Sequence, residues 1–254
     1  MPVAVLAIVH DRPVASEGWE PEAENWIAWA RRPGHDAYHL YIDRFLDLVP
    51  GAGANTLEVG CGEGRVARSL VSHGHRVTGI DASPTLIRAA RELDRESTYL
   101  VADAAELPFP DRSFELVVAY NSLMDIRRMP RAVQEAARVL TVAGRFCLCV
   151  THPMADAGEF TSRAGDATFE IRGSYLEDRV PPYAGQLGER GGLRMTFDSL
   201  RYSLEEYAQA LFGAGFVIEA LREPALPAGE VARDPPKQRW QRIPNFLMLR
   251  AAKA

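Results

Sequence analysis

Cysteine is scarce in this 254-residue chain, with only Cys61, Cys147 and Cys149. The number is odd and none has metal-ligand spacing with histidine. A disulfide framework and a structural zinc site are therefore excluded, and reduced thiols are expected. Long apolar runs are missing as well. No stretch reaches the length of a membrane span, and the N-terminal VAVLAIVH lacks the basic start and small-residue cleavage site of a secretory signal, so a soluble, cytoplasmic protein is expected. Basic runs are also absent: 29 Lys and Arg face 34 Asp and Glu, for a net charge of −5. That balance removes the broad electrostatic footprint of a nucleic-acid binder and favours a small-molecule partner, with no nucleic acid and no membrane. No cluster of carboxylates suggests a metal, and no repeat or low-complexity tract stands out.

What the chain does have is a regular alternation. TLEVG, RVTGID, TYLVAD, FELVVAYN and RFCLCVTH read as strands, and the segments between them carry apolar residues at helical spacing. Ser83 followed by Pro84 reads as a helix cap and first turn, and Ser203 with Glu206 has capping-box spacing. Strands apolar on both faces that alternate with helices predict an α/β fold, a doubly wound and mostly parallel sheet. Two late runs, VIEALREP and NFLMLRAAK, suit an antiparallel pair. Residues 1–50 form a helical segment expected to cover a site, with a break at Pro33 and Gly34, and Trp26 and Trp29 read as core aromatics. Residues 51–254 form the main domain. Within it, 153–199 breaks the pattern with many glycines and two period-2 stretches, TFEIRGSY and GLRMTFDS, and reads as an inserted lid with a small β-ribbon.

The stretch NTLEVGCGEGRVARSL places Gly60, Gly62 and Gly64 between the first strand and the first core helix. Closely spaced glycines there mark a turn lying against a ligand or a neighbouring element. Open α/β sheets bind ligands at the carboxyl ends of their strands, where this turn lies. The second strand ends in Asp81, about 20 residues after Gly60, which suits a carboxylate accepting from two ribose hydroxyls. That spacing alone fits a nucleoside site, a nicotinamide dinucleotide site or a structural turn. The third strand adds Asp103 and Ala104 at the same rim, placed for an adenine edge.

Taken in order, LEVGCGEG, GIDAS, ADAAELPFPDRSFELVVAYNSL, EAARVLTVAGRF and LEEYAQALFGAGF resemble the class I S-adenosylmethionine-dependent methyltransferases over roughly residues 50–250. The resemblance implies a seven-stranded Rossmann-like sheet with an antiparallel last strand, and S-adenosylmethionine as methyl donor. It further implies that Glu58 supports the methionine ammonium and that Gly60, Cys61 and Gly62 line the amino-acid part. Asp81 would take the ribose hydroxyls, with Ala82 beside adenine, Asp103 and Ala104 on the adenine edge, and Asn121 near the sulfonium.

The acceptor should lie past the fourth and fifth strands. The Asn/Asp-Pro-Pro-aromatic signature, a Pro-Cys nucleophile and a paired-glutamate loop are all absent, which points to a small metabolite methylated on oxygen, nitrogen or carbon. Asp125 reads as a base, an orienting carboxylate or a solvated group before a helix. His152, at the end of the fifth strand, is a candidate base. Tyr175 and Tyr183 are candidates to line the acceptor pocket, and Tyr38 to close over the donor. Two other classes compete: an NAD(P)-dependent oxidoreductase, disfavoured by Gly-x-Gly-x-Gly spacing, and a non-catalytic S-adenosylmethionine-binding module.

Overall fold

Each β-branched run becomes a strand of one sheet. β1 (Asn55–Val59), β2 (Arg76–Asp81), β3 (Thr98–Val101), β4 (Phe114–Tyr120) and β5 (Leu140–Thr151) come first. Four short strands then leave the sheet: β6 (Gly158–Phe160), β7 (Phe169–Ile171), β8 (Leu187–Arg190) and β9 (Leu193–Thr196). β10 (Phe216–Arg222) and β11 (Phe246–Lys253) complete it. The order across the seven strands is β10-β11-β5-β4-β1-β2-β3, with β1 to β5 parallel and β11 antiparallel to both its neighbours. The structure is a computed structural model and describes residues 19–34, 36–177, 187–190, 192–196 and 199–254. Tyr183 and the VAVLAIVH segment lie outside the described residues.

Helices α1 (Ala23–Ala30), α2 (Tyr38–Leu46), α3 (Arg65–Ser72), α4 (Pro84–Leu93), α5 (Met129–Val139), α6 (Leu204–Gly213) and α7 (Ala228–Arg233) accompany the strands. Their ends follow local chemistry. The Ser83 hydroxyl accepts from the Leu86 N–H at 3.1 Å, and Ser203 and Glu206 cap each other reciprocally.

The sheet is buried on both faces because side chains alternate along each strand. Val117, Ala119, Phe146 and Leu148 pack on one side with α5 and α6. Leu116, Val118, Cys147 and Cys149 pack on the other with α2 and α3. This explains runs apolar at every position, each fully buried large side chain contributing about 1.5 to 3 kcal/mol. The three cysteines are free and buried.

Two details differ from the sequence reading. The period-2 stretches do not pair with each other: β7 pairs antiparallel with β6, and β9 with β8, because each finds a partner nearer in the chain. β5 also starts earlier, at Leu140, where Ala143 takes φ +62° and the register against β4 shifts.

The chain leaves β1 for β2 and β3 on one side and later fills β4 and β5 on the other. The carboxyl ends of β1 and β4 therefore flank the point where strand order reverses. The glycine turn sits there, and its last glycine, Gly64, is left-handed at φ +82° as the cap of α3. A Cβ on it would lie 2.6 Å from the Tyr99 hydroxyl oxygen.

Gly64→Ala is expected to lose about 3 kcal/mol of stability in urea unfolding, from left-handed strain plus overlap. In the double variant with Tyr99→Phe the two losses should be less than additive, because the hydroxyl is one of the atoms in the way.

Candidate functional site

The turn after β1 is wound left-handed at all three glycines, with φ of +70°, +55° and +82° at Gly60, Gly62 and Gly64. Each faces a neighbour rather than open space. A Cβ on Gly60 would stand 2.4 Å from the Ser122 Cβ, and one on Gly62 would stand 3.3 Å from the Trp26 indole nitrogen. The glycines thus serve close packing of three elements around the turn. Asp81 anchors it from the end of β2. One carboxylate oxygen accepts from the Gly62 N–H and the other from the Ser83 N–H, both at 2.9 Å. Burial nonetheless pushes the Asp81 carboxyl above its usual range.

These elements enclose a cavity of about 330 Å³. Glu58, Gly60, Cys61, Gly62, Asp81, Ala82, Asp103, Ala104 and Asn121 all line it, as does Asp125. Glu58 is 1% exposed, and its Oε2 has no hydrogen-bond partner among the described residues. Burial, followed by the nearby Asp81 charge, pushes its carboxyl up to about 8. Such a group has a strong demand for a donor from whatever fills the cavity. Asp103 is half-exposed; it accepts from the Ala105 N–H at 2.7 Å and pairs with Arg128 at 2.7 Å. Asn121 has φ +51°, and its N–H donates to the Cys149 carbonyl at 2.7 Å. Burial drives the Cys61 thiol well above its ordinary value, so it is a wall and not a nucleophile.

The N-terminal segment supplies residues that the sequence reading missed. Trp19 and Trp26 both line the cavity, which corrects the assignment of Trp26 to the core. Glu20 reaches the start of α4, where its carboxylate accepts from the hydroxyls of Ser83 and Thr85 and from the Thr85 N–H. Arg31, after α1, pairs at 3.3 Å with buried Glu63 of the glycine turn, which also pairs with Arg68 at 2.8 Å. Arg65 pairs with Asp36, and its guanidinium lies 4.9 Å from the Trp26 ring centre and 4.4 Å from that of Tyr38. The seven-residue interval between two tryptophans in WEPEAENW was the available signal.

Three candidates do not reach the cavity. His152 is 2% exposed; its Nε2 lies 2.8 Å from Glu223 and its Nδ1 accepts from the Met154 N–H. Both nitrogens hold the loop after β5, and the ring does not line this cavity. The Tyr38 hydroxyl contacts the Arg65 carbonyl and Ser69, beneath the Arg65 guanidinium. The Tyr175 hydroxyl accepts from the Leu204 N–H, at the start of α6. Asp125 does reach it. This residue ends a 3-10 turn after β4, and its carboxylate is hydrogen-bonded by Ser199 and Trp19. Its Oδ1 has no partner among the described residues, and burial pushes its carboxyl up to about 7.

A glycine turn, a carboxylate at the next strand end and a cavity at the switch point define a Rossmann-like α/β protein. Residues 57–148 match the family described as methyltransferase domain, and that stretch is a methyltransferase domain of the class I S-adenosylmethionine-dependent type. Demethylmenaquinone methyltransferase of Tropheryma whipplei is 34% identical over 105 residues, covering 40% of this chain and 44% of that one. 27-O-demethylrifamycin SV methyltransferase of Amycolatopsis mediterranei is 36% identical over 114 residues, covering 42% of each. The chain thus spans less than half the length of these curated relatives. A solved S-adenosylmethionine-dependent methyltransferase from Mesorhizobium loti superposes with a TM-score of 0.68 at 24% identity, covering 84% of this chain and 97% of that one. The cofactor of this family is S-adenosylmethionine, and the open, buried oxygen of Glu58 fits its ammonium group. Among the described residues no group of three or more His, Cys, Asp or Glu is placed to hold a metal ion, and no helix is long and apolar enough to cross a membrane.

Glu58 gives the ligand-free protein an unusual pH response. Its folded-state carboxyl titrates at about 8 against 4.5 unfolded, so the folded state keeps the proton longer. Stability should fall as pH rises across that window, with Asp125 adding the same sign up to about 7. In urea unfolding at a series of pH values, Glu58→Gln is expected to flatten part of this slope. At the alkaline end it should be more stable than wild type by roughly 1 to 3 kcal/mol.

Proposed function

We propose that this protein transfers the methyl group of S-adenosylmethionine to a small-molecule metabolite. The observation that carries this is the convergence of Glu58, Asp81 and Asp103 on one cavity, with the Glu58 oxygen left open. Bound S-adenosylmethionine supplies an activated methyl on a sulfonium. The protein's tasks are to hold the donor, align an acceptor and exclude water.

In this reading Glu58 holds the ammonium, with Gly60, Cys61 and Gly62 along the amino-acid portion. The Asp81 oxygens each have one N–H partner and keep acceptor capacity for two ribose hydroxyls. Ala82, Ala104 and the partly buried Ile126 bound a flat apolar slot, with Asp103 at its edge and Asn121 at the inner end. Trp19 and Trp26 close the cavity from the N-terminal side. The named activities of the two curated relatives, a demethylmenaquinone and a demethylrifamycin methyltransferase, favour a small-molecule acceptor, as does the net charge of −5.

Calorimetry with S-adenosylhomocysteine tests the assignment. Asp81→Ala should weaken binding by 30-fold or more, since each charge-assisted hydrogen bond is worth about 1.5 to 3 kcal/mol. The ligand-free variant should also lose about 1 to 2 kcal/mol, because the two N–H bonds to the turn and to α4 go with it. NAD and NADP should leave the melting temperature unmoved while S-adenosylhomocysteine raises it. The reverse pattern would return the protein to the oxidoreductase class.

A further inference from the structure

Five carboxylates line the cavity among the described residues: Glu58, Glu63, Asp81, Asp103 and Asp125. Glu63 is neutralised by two arginines, Asp103 by one, and Asp81 is fixed by two N–H groups. Glu58 has its task in the cofactor. Asp125 alone is left without one.

Asp125 stands where the cavity meets the inserted segment. Its own N–H donates to the Ser122 carbonyl at 3.0 Å, and the Leu200 N–H donates to the carbonyl of Met124 beside it. Trp19 from the N-terminal segment and Ser199 from the end of the insertion both hydrogen-bond the carboxylate. Two separate parts of the chain thereby fix its orientation, while Oδ1 of this cavity-lining residue is buried and has no partner among the described residues. The charges acting most on it are Asp156 and Asp81, both of its own sign. A buried carboxylate so placed gains most from a proton or from an O–H or N–H donor.

We propose that Oδ1 of Asp125 takes the proton of the methyl acceptor, and that the acceptor is an alcohol, phenol or amine presenting its O–H or N–H to that oxygen. This rests on the methyl-transfer reading above. The acceptor heteroatom's lone pair forms the bond to the methyl carbon, the carbon–sulfur bond breaks with its electron pair going to sulfur, and the acceptor's proton passes to Asp125. The burial that raises the carboxyl to about 7 leaves it basic enough to receive that proton near neutrality. Trp19 and Ser199 act as positioning residues.

The test incubates the protein with a cell metabolite extract and S-adenosylmethionine labelled with carbon-13 in its methyl group. The methyl carbon shift of the product reports whether oxygen, nitrogen or carbon was methylated. The proposal expects an oxygen- or nitrogen-bound methyl. Asp125→Asn should lower kcat at least a hundredfold, Asp125→Glu should recover part of that loss, and S-adenosylhomocysteine affinity by calorimetry should stay within about threefold in both. Trp19→Phe, which keeps the ring and removes the N–H, should lower kcat with little change in acceptor KM. A carbon-bound methyl, or Asp125→Asn turning over at the wild-type rate, overturns the role of Asp125 while leaving methyl transfer standing. Tight S-adenosylhomocysteine binding with no labelled product overturns the methyl-transfer reading and this proposal with it.

Discussion

Two backbone N–H groups on one carboxylate hold this site together. Asp81 takes the Gly62 N–H of the turn after β1 and the Ser83 N–H at the start of α4, both at 2.9 Å. The Gly64 N–H is satisfied within the turn by the Cys61 carbonyl, whereas the Gly62 N–H takes its acceptor from outside. The end of the adjacent parallel strand is the place from which a short acidic side chain reaches both Gly62 and Ser83. The same bonds set the carboxylate in the cavity wall, so one residue ties the turn and α4 to the cavity.

Electrostatics gives the cavity its direction. A buried acid is ordinarily compensated, as Glu63 is by Arg31 and Arg68. Glu58 and Asp125 each keep an oxygen without a partner, and burial lifts both carboxyls, to about 8 and about 7. Such groups cost stability in the empty protein and are repaid by a ligand that supplies donors. The two unpartnered oxygens belong to acids that line one cavity, one in reach of the glycine turn and one beside the insertion.

Around the cavity the N-terminal segment contributes through ion pairs and rings, while its α2 buries Tyr41 and Phe45 against the sheet. Glu20 bonds the first turn of α4, Arg31 bonds Glu63, and Arg65 lies against Trp26 and Tyr38. Contacts of this kind are individually modest and partly exposed. Because Trp19 also bonds Asp125, the N-terminal segment and the turn after β4 are directly linked at the cavity.

The sequence by itself determined the doubly wound sheet, the caps at Ser83 and Ser203, the glycine turn and the strand-end acids Asp81 and Asp103. The family resemblance added Glu58, Cys61, Ala82 and Asn121, which line the cavity together with those two acids. Strand period, glycine spacing and strand-end acids are local patterns, and parallel β-α-β topology brings successive strand ends to one rim, so order along the chain is enough to assemble them. Tertiary structure alone decided the rest. His152 and Tyr175 sit at plausible places in the chain, yet Glu223 and Met154 take the histidine's two nitrogens, and the Leu204 N–H takes the tyrosine hydroxyl. Trp26 looked like core and Trp19 carried no reading, but long-range packing places both at the cavity. Asp125 could be a solvated acid or a buried one on sequence grounds. Burial and partners depend on contacts remote in the chain, and those are what a local pattern cannot carry.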